Sequence, residues 1–78
     1  MDYFDHIETR DGVLGGKPVI KGTRIPVELI LDFLSAGWSM EDILREYPAV
    51  TVDSIRAIFA LAAELVKEER FIIESKVA

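Results

Sequence analysis

Reactive side chains are scarce in this sequence. It contains no cysteine and a single histidine, His6, which excludes disulfides, thiolate zinc sites and histidine-rich metal sites. Asp2, Asp5 and His6 come nearest to a metal site, but no second cluster of ligands stands elsewhere to complete it. No serine has the sequence context that a catalytic pair with His6 requires. The sequence therefore predicts no catalytic residue, no metal, no cofactor, no small-molecule substrate and no enzymatic activity.

The glycine-rich segment is the next candidate for chemistry, because glycine loops can hold phosphate groups. A nucleotide-binding P-loop requires a glycine, a fixed gap of four residues, and then Gly-Lys followed directly by Ser or Thr. Here Gly22 is followed directly by Thr23, with no lysine between them. Nucleotide binding is therefore not expected from this segment.

Charge is distributed unevenly along the chain. The net charge of −5 argues against a general nucleic-acid coat protein. Residues 10–24 nevertheless carry four basic residues against one acid, a local net charge of +3. This basic segment is either a set of solvated loop residues or a contact for phosphates or an acidic partner. Arg24, at its end, can alternatively pin the N-terminal strands onto an acidic helix face.

Residues 1–25 are predicted to form short strands and turns. Asp11-Gly12 is a tight-turn signal that separates Ile7–Thr9 from Val13-Leu14, and Gly15-Gly16 marks a second break. Pro18–Ile20 is a further short strand candidate. Two or three strands of this length are not stable alone, so they must pack on helices or pair with another chain.

Residues 26–78 are predicted to be helical. The first helix begins near Pro26, the second has Ser39 as its N-cap and stops at Pro48, and the third has Thr51 as its N-cap. Trp38 is expected to pack where the first two helices meet. In the third helix, several apolar residues keep the 3.6-residue period. They are Val52, Ile55, Ile58, Phe59, Ala62, Leu65 and Val66.

No helix of this length can bury its apolar side alone, so the three must close around one core. A short second helix joined by a tight turn to a third matches a helix-turn-helix arrangement. The predicted fold is mainly α, with short N-terminal β-strands followed by a three-helix part, in a single domain over residues 1–78.

The composition predicts apolar surface that is left over for a partner to cover. Half of the 78 residues are hydrophobic, and a domain this small is only marginally stable by itself. Small domains are commonly stabilised by disulfides, a metal or association with another subunit. Because this chain has no cysteine and no metal site is expected, association remains, and we predict a homodimer. The sequence shows no signal peptide and no apolar run near the roughly 20 residues of a membrane helix, so we expect a cytoplasmic protein without membrane contact.

The stretch Gly-Gly-Lys-Pro-Val-Ile-Lys-Gly-Thr-Arg-Ile-Pro-Val, from Gly15 to Val27, resembles the signature of a widespread prokaryotic family catalogued as a domain of unknown function. The resemblance continues through Gly37-Trp38-Ser39 and Ile55-Arg56-Ala57, and it covers roughly Ile7 to Ala63. Members of that family look like small homeodomain-like helix-turn-helix proteins, and many are taken to be antitoxins encoded beside a PIN-like ribonuclease toxin. The resemblance implies the same fold and an antitoxin-like function for this chain.

One interpretation of the surface is DNA binding. A helix-turn-helix reads the major groove with the N-terminal part of its second helix, here the third helix of the chain. Asp53, Ser54, Arg56 and Ala57 are expected to face outward there, and only Ser54 and Arg56 suit a base or a phosphate. The sequence has no asparagine or glutamine for the usual adenine contact, so phosphate contacts should dominate. The predicted DNA contacts are Lys17, Lys21, Arg24, Ser54 and Arg56.

The alternative is a protein-interaction module that touches no nucleic acid. Ala57, Ala60, Leu61 and Glu64 are expected to make the outward face of the third helix half apolar. Phe71-Ile72-Ile73 adds an apolar patch further along. The predicted partner contacts are Ala60, Leu61, Phe71 and Ile72, which a second copy or a cognate ribonuclease toxin would cover.

Overall fold

The computed structural model describes residues 2–68 of the chain. Two short strands and three helices follow one another in the order β1 (Ile7–Glu8), β2 (Val19–Ile20), α1 (Val27–Ser35), α2 (Met40–Glu46) and α3 (Val52–Glu68). Short 3-10 turns lie at Tyr3–Asp5, before β1, and at Leu14–Gly16, between the strands. The predicted mainly α fold, with short N-terminal strands followed by three helices, is confirmed.

The two strands are antiparallel, with Ile7 opposite Ile20. A charged clamp holds this hairpin closed. The Glu8 carboxylate accepts hydrogen bonds from the Arg10 guanidinium and from the backbone N–H of Gly22, at 2.8 Å in the second case. Arg10 also donates to the Thr23 carbonyl at 2.7 Å. One ion pair therefore fixes the start of the hairpin to the turn that follows its second strand.

Of the two or three short strands that the sequence predicts, two form within residues 2–68, and Val13-Leu14 after the Asp11-Gly12 turn is not one of them. The partner of β1 is β2. Leu14, Gly15 and Gly16 have φ values of 51°, 65° and 82°, all in the left-handed region. An extended strand cannot pass through three such residues, because they curl the chain into a left-handed turn. The tight-turn signal therefore opens a long connection rather than a hairpin.

The first helix begins where the sequence predicts. Pro26 is its N-cap, with φ of −67°, and Val27 and Ile30 are its buried residues. After the helix ends, Gly37 adopts φ of 100°, a conformation that a side chain would strain. The indole of Trp38 stacks on the Phe33 ring with centroids 4.2 Å apart, which confirms its predicted place between the first two helices.

The second helix starts at a complete capping box. Asp42 donates its backbone N–H to the Ser39 hydroxyl at 3.0 Å, and Ser39 donates its N–H to the Asp42 carboxylate at 2.9 Å. These hydrogen bonds lower the pKa of Asp42, because they favour its ionised form. The predicted N-cap is confirmed, and Ile43 in this helix is fully buried.

The third helix is the centre of the fold. It contacts α1, α2, β1 and the Tyr3–Asp5 turn. Its side chains Ile55 and Ile58 are fully buried in a core that both strands and all three helices supply. Within residues 2–68, none of the helices combines the length and the apolar character that a membrane span requires.

Candidate functional site

The N-terminal turn of α3 does not present the residues that the sequence predicts. Ser54 is only 4% exposed, and its hydroxyl lies 3.0 Å from the Thr51 hydroxyl. Ser54 donates its backbone N–H to that same Thr51 oxygen at 3.1 Å, so Thr51 is the N-cap, as predicted. Ala57 is fully buried. The expected outward placement of Ser54 and Ala57 is wrong, because both positions turn toward the core and Ser54 completes the helix cap.

An apolar stripe occupies the outward side of α3 instead. Positions 52, 56, 59, 63 and 66 are separated by three or four residues, so they lie along one face of the helix. All five are exposed, and Phe59 shows 46% of its surface. We call Val52, Arg56, Phe59, Ala63 and Val66 the outer stripe. Val52, Phe59 and Val66 keep the 3.6-residue apolar period of the sequence, but their side chains are exposed rather than buried in the core.

The outer stripe contains one charge. Arg56 is exposed, and its guanidinium lies 3.9 Å from the Asp53 carboxylate, at the outer limit of an ion pair. Such a loose surface pair contributes little to stability. The guanidinium can therefore change partner at low cost when another molecule covers the stripe.

A second face of α3 borders two apolar depressions. The larger, of about 560 Å³, lies between α3, the hairpin and the Tyr3–Asp5 turn. The smaller, of about 170 Å³, lies between α1 and α3. Pro18, Leu61 and Leu65 line both, so the two depressions adjoin. We call them together the groove.

The predicted partner contacts divide between described and undescribed parts of the chain. Leu61 lines both depressions of the groove. Ala60 is partly buried and is not among the residues that line either depression. Phe71 and Ile72 lie outside the described residues.

The basic segment forms an edge near the hairpin. Lys17 is exposed and pairs with Glu28 of α1 at 3.0 Å. Lys21 and Arg24 are exposed, and neither forms a salt bridge within residues 2–68. The side chain that pins the hairpin is Arg10 rather than Arg24. This role of Arg10 was not predicted, although Glu8 and Arg10 are two positions apart and so can meet on one side of an extended chain.

Within residues 2–68, two carboxyl groups, those of Glu8 and Asp42, have a shifted pKa, and both shifts have a structural cause. The pKa of Glu8 is lowered, first by the hydrogen bond from the Gly22 N–H and then by the nearby Arg10 charge. The pKa of Asp42 is lowered by the capping box. A general acid requires the opposite shift, toward neutral pH. Within the described part of the chain, no three potential ligands gather to hold a metal ion.

A family model and a similar protein sequence match most of the chain. The model of a family described as "Protein of unknown function (DUF433)" matches residues 7–62. An uncharacterized protein of Sinorhizobium fredii, y4eO, is 40% identical over 55 residues, which are 68% of this chain. The chain spans about a quarter of the length of that relative.

A solved structure has the same fold. The crystal structure of a DUF433 member protein from Anabaena variabilis matches with a TM-score of 0.72 and 27% sequence identity. The match covers 80% of this chain and 61% of that one. The family match over residues 7–62 also spans nearly the same residues as the sequence resemblance.

Proposed function

The chain belongs to the DUF433 family, and on that premise we propose that it is an antitoxin-like adaptor that binds a cognate protein, of the PIN-like ribonuclease kind, through the outer stripe. The single observation that carries this proposal is the stripe itself. Val52, Phe59 and Val66 are large apolar side chains exposed along one face of a 17-residue helix. Exposed apolar surface of this kind marks a place where a partner binds.

The spacing of the stripe suits a specific mode of binding. Apolar anchors at intervals of three and four residues let a helix lie in an apolar groove of a partner protein. Phe59 is the central anchor, since an aromatic side chain contributes much of the energy of such contacts. Arg56, loosely held by Asp53, can pair there with a carboxylate of the partner.

The nature of the partner rests on the family resemblance. Antitoxin-like relatives are taken to inhibit a ribonuclease encoded beside them, and an apolar helix face is suited to blocking another protein. Binding rather than catalysis also agrees with Glu8 and Asp42, whose lowered pKa values belong to acceptors that hold a hairpin and a cap. A cytoplasmic location, where such a ribonuclease acts, is part of the proposal.

Operator binding is a second candidate function. Exposed Lys21 and Arg24, with no salt bridge inside residues 2–68, favour it. The order α2, turn, α3 supports this candidate, because a helix-turn-helix approaches DNA with the second of its two helices. With Ser54 buried in the cap, the proposed contacts are Lys17, Lys21, Arg24 and Arg56, which points to phosphates rather than base edges.

The experiment is co-purification with the product of the adjacent gene. The tagged chain is expressed together with that product, and the complex is isolated from wild type, Phe59→Lys and Leu65→Lys. Leu65 is the matched control because it lies on the same helix, is similarly exposed, and belongs to the groove.

We expect wild type and Leu65→Lys to retain a PIN-like ribonuclease and suppress its activity, and Phe59→Lys to lose it. The proposal is overturned if the adjacent product does not bind the wild type, or if Phe59→Lys binds it as tightly as wild type does.

A further inference from the structure

We propose that the groove binds a second copy of this chain, so that the C-terminal half of α3 packs against the same half of α3 in its partner. The inference goes beyond the proposed function and does not depend on it. The groove and the outer stripe lie on different faces of the helix, so each can be disrupted separately.

The buried face of α3 emerges from the core toward the C-terminal half of the helix. Ile58 is fully buried, Leu61 is partly buried, and Leu65 is 52% exposed. These residues lie on one side of the helix, at intervals of three and four positions. The domain therefore covers this face at Ile58 and leaves it open at Leu65. The exposed apolar part of this face therefore needs a partner to cover it.

The open part of this face has a shape that suits a second helix. Leu61 and Leu65 are four positions apart, one of the spacings by which two helices interlock side chains. Ala62 beside them is small and allows close approach of another helix. Depressions of about 560 and 170 Å³ flank Leu61 and Leu65 and leave room for side chains from outside. A helix with the same spacing fits this surface.

The charged side chains at the rim of the groove also favour a second copy. Glu8 and Lys21 border the larger depression, and Glu28 borders the smaller one. Arg10 engages Glu8 within the domain. The pair of Glu28 with Lys17 is exposed, and Lys21 forms no salt bridge within residues 2–68. The rim therefore carries both signs. When two copies meet about a twofold axis, such a surface faces itself, so a lysine of one copy can lie opposite a carboxylate of the other. This complementarity favours a second copy over a partner of a single charge.

The chain's own C-terminal segment is the alternative occupant, because Phe71, Ile72 and Ile73 are apolar. The sequence favours a second copy over it, since glycine and proline are the residues that favour turns and neither follows Pro48. The outcome of the test below separates the two occupants, because only one of them makes a dimer.

The test is sedimentation velocity of the full-length chain as wild type, Leu65→Lys and Phe59→Lys. We expect wild type and Phe59→Lys to sediment as dimers, and Leu65→Lys as a folded monomer whose dissociation constant is raised about a hundredfold. Phe59→Lys is the matched control, since it places the same charge on the other exposed face. A monomeric wild type overturns the proposal, and so does a Leu65→Lys variant that remains dimeric.

A second measurement reports the groove residue directly and does not depend on how a charged variant folds. The chain has no cysteine, so Leu65→Cys and Phe59→Cys each introduce a single thiol. We expect the alkylation rate of the Leu65→Cys variant to fall as protein concentration rises, and that of Phe59→Cys to stay constant. Rates that are independent of concentration for both variants overturn the proposal.

Discussion

The carboxylate of Glu8 accepts a hydrogen bond from the backbone N–H of Gly22, fourteen positions further along the chain, at 2.8 Å. Gly22 has φ of 77°, so this N–H points at Glu8 through a conformation that other residues adopt only with strain. Arg10 completes the contact from the other side. The antiparallel pairing of two very short strands is thus supported by one carboxylate.

Glu8→Gln is expected to destabilise the protein at neutral pH and to lose that effect in acid. The glutamine oxygen can still accept from Gly22, but the attraction to Arg10 is gone. Because folding lowers the pKa of Glu8, its contribution is present above the unfolded pKa, about 4.3, and disappears as pH falls through the folded value. Urea unfolding across this pH range measures the difference from wild type.

The control for this experiment is Glu64→Gln, which removes an exposed carboxylate from α3. Its stability should differ little from wild type at any pH. A Glu8→Gln deficit that persists unchanged at low pH would contradict the role assigned to the charge.

Leu14→Asn is expected to stabilise the fold. Leu14 holds φ of 51°, and a non-glycine residue in this region costs roughly 1–2 kcal/mol, whereas asparagine tolerates it better. Since the leucine side chain is exposed, little packing is lost. We expect the free energy of unfolding to rise by about 1 kcal/mol in chemical denaturation. Leu14→Ala keeps the strained backbone and should show no comparable gain.

Ser54→Ala separates the cap from the DNA contact that the sequence suggests. The buried hydroxyl of Ser54 pairs with that of Thr51, so its removal should lower the free energy of unfolding by about 1 kcal/mol. Affinity for promoter DNA should not change. Ser35→Ala, which removes an exposed hydroxyl bonded to the Asp32 carbonyl, is the matched control. A weaker DNA complex with unaltered stability would return Ser54 to the binding surface.

Operator binding, the second candidate function, predicts that the affinity for DNA depends on salt concentration. Each lysine or arginine that contacts a phosphate adds about 0.9 to the slope of log affinity against log salt concentration. Replacing Lys21 and Arg24 together by alanine should reduce that slope by about 2 in titrations with promoter DNA. Arg45→Ala is the control, because Arg45 pairs with Asp42 at 2.6 Å on α2. An unaltered slope removes both residues from the DNA contact.

Helix starts were predictable because their signals are local. Pro26, Ser39 and Thr51 each act within a few residues of the helix that they begin, and all three do so in the structure. The partner of β1 was not predictable in the same way. Ile7 pairs with Ile20 across a connection whose path depends on the left-handed turn at Leu14.

The faces of α3 were the other difficulty. Val52, Phe59 and Val66 share the helical period of Ile55 and Ile58, so the sequence offers a broad apolar arc with no indication of which part faces the core. In the structure this arc divides into a buried face with Ile55 and Ile58 and an exposed face. The exposed face contains Val52, Phe59 and Val66. The role of Ser54 in the helix cap could be recognised from the sequence. Ser54 follows Thr51 by three positions, the spacing at which an N-cap side chain bonds a backbone N–H.

The most direct test of the account is the mass of the complexes that two variants form. Light scattering after size exclusion is applied to Phe59→Lys and Leu65→Lys, each co-expressed with the adjacent gene product. We expect the first to be a dimer without ribonuclease and the second a single copy of this chain with its ribonuclease bound. The account of two independent binding faces on α3 is contradicted if both substitutions remove the same component, or if neither removes any.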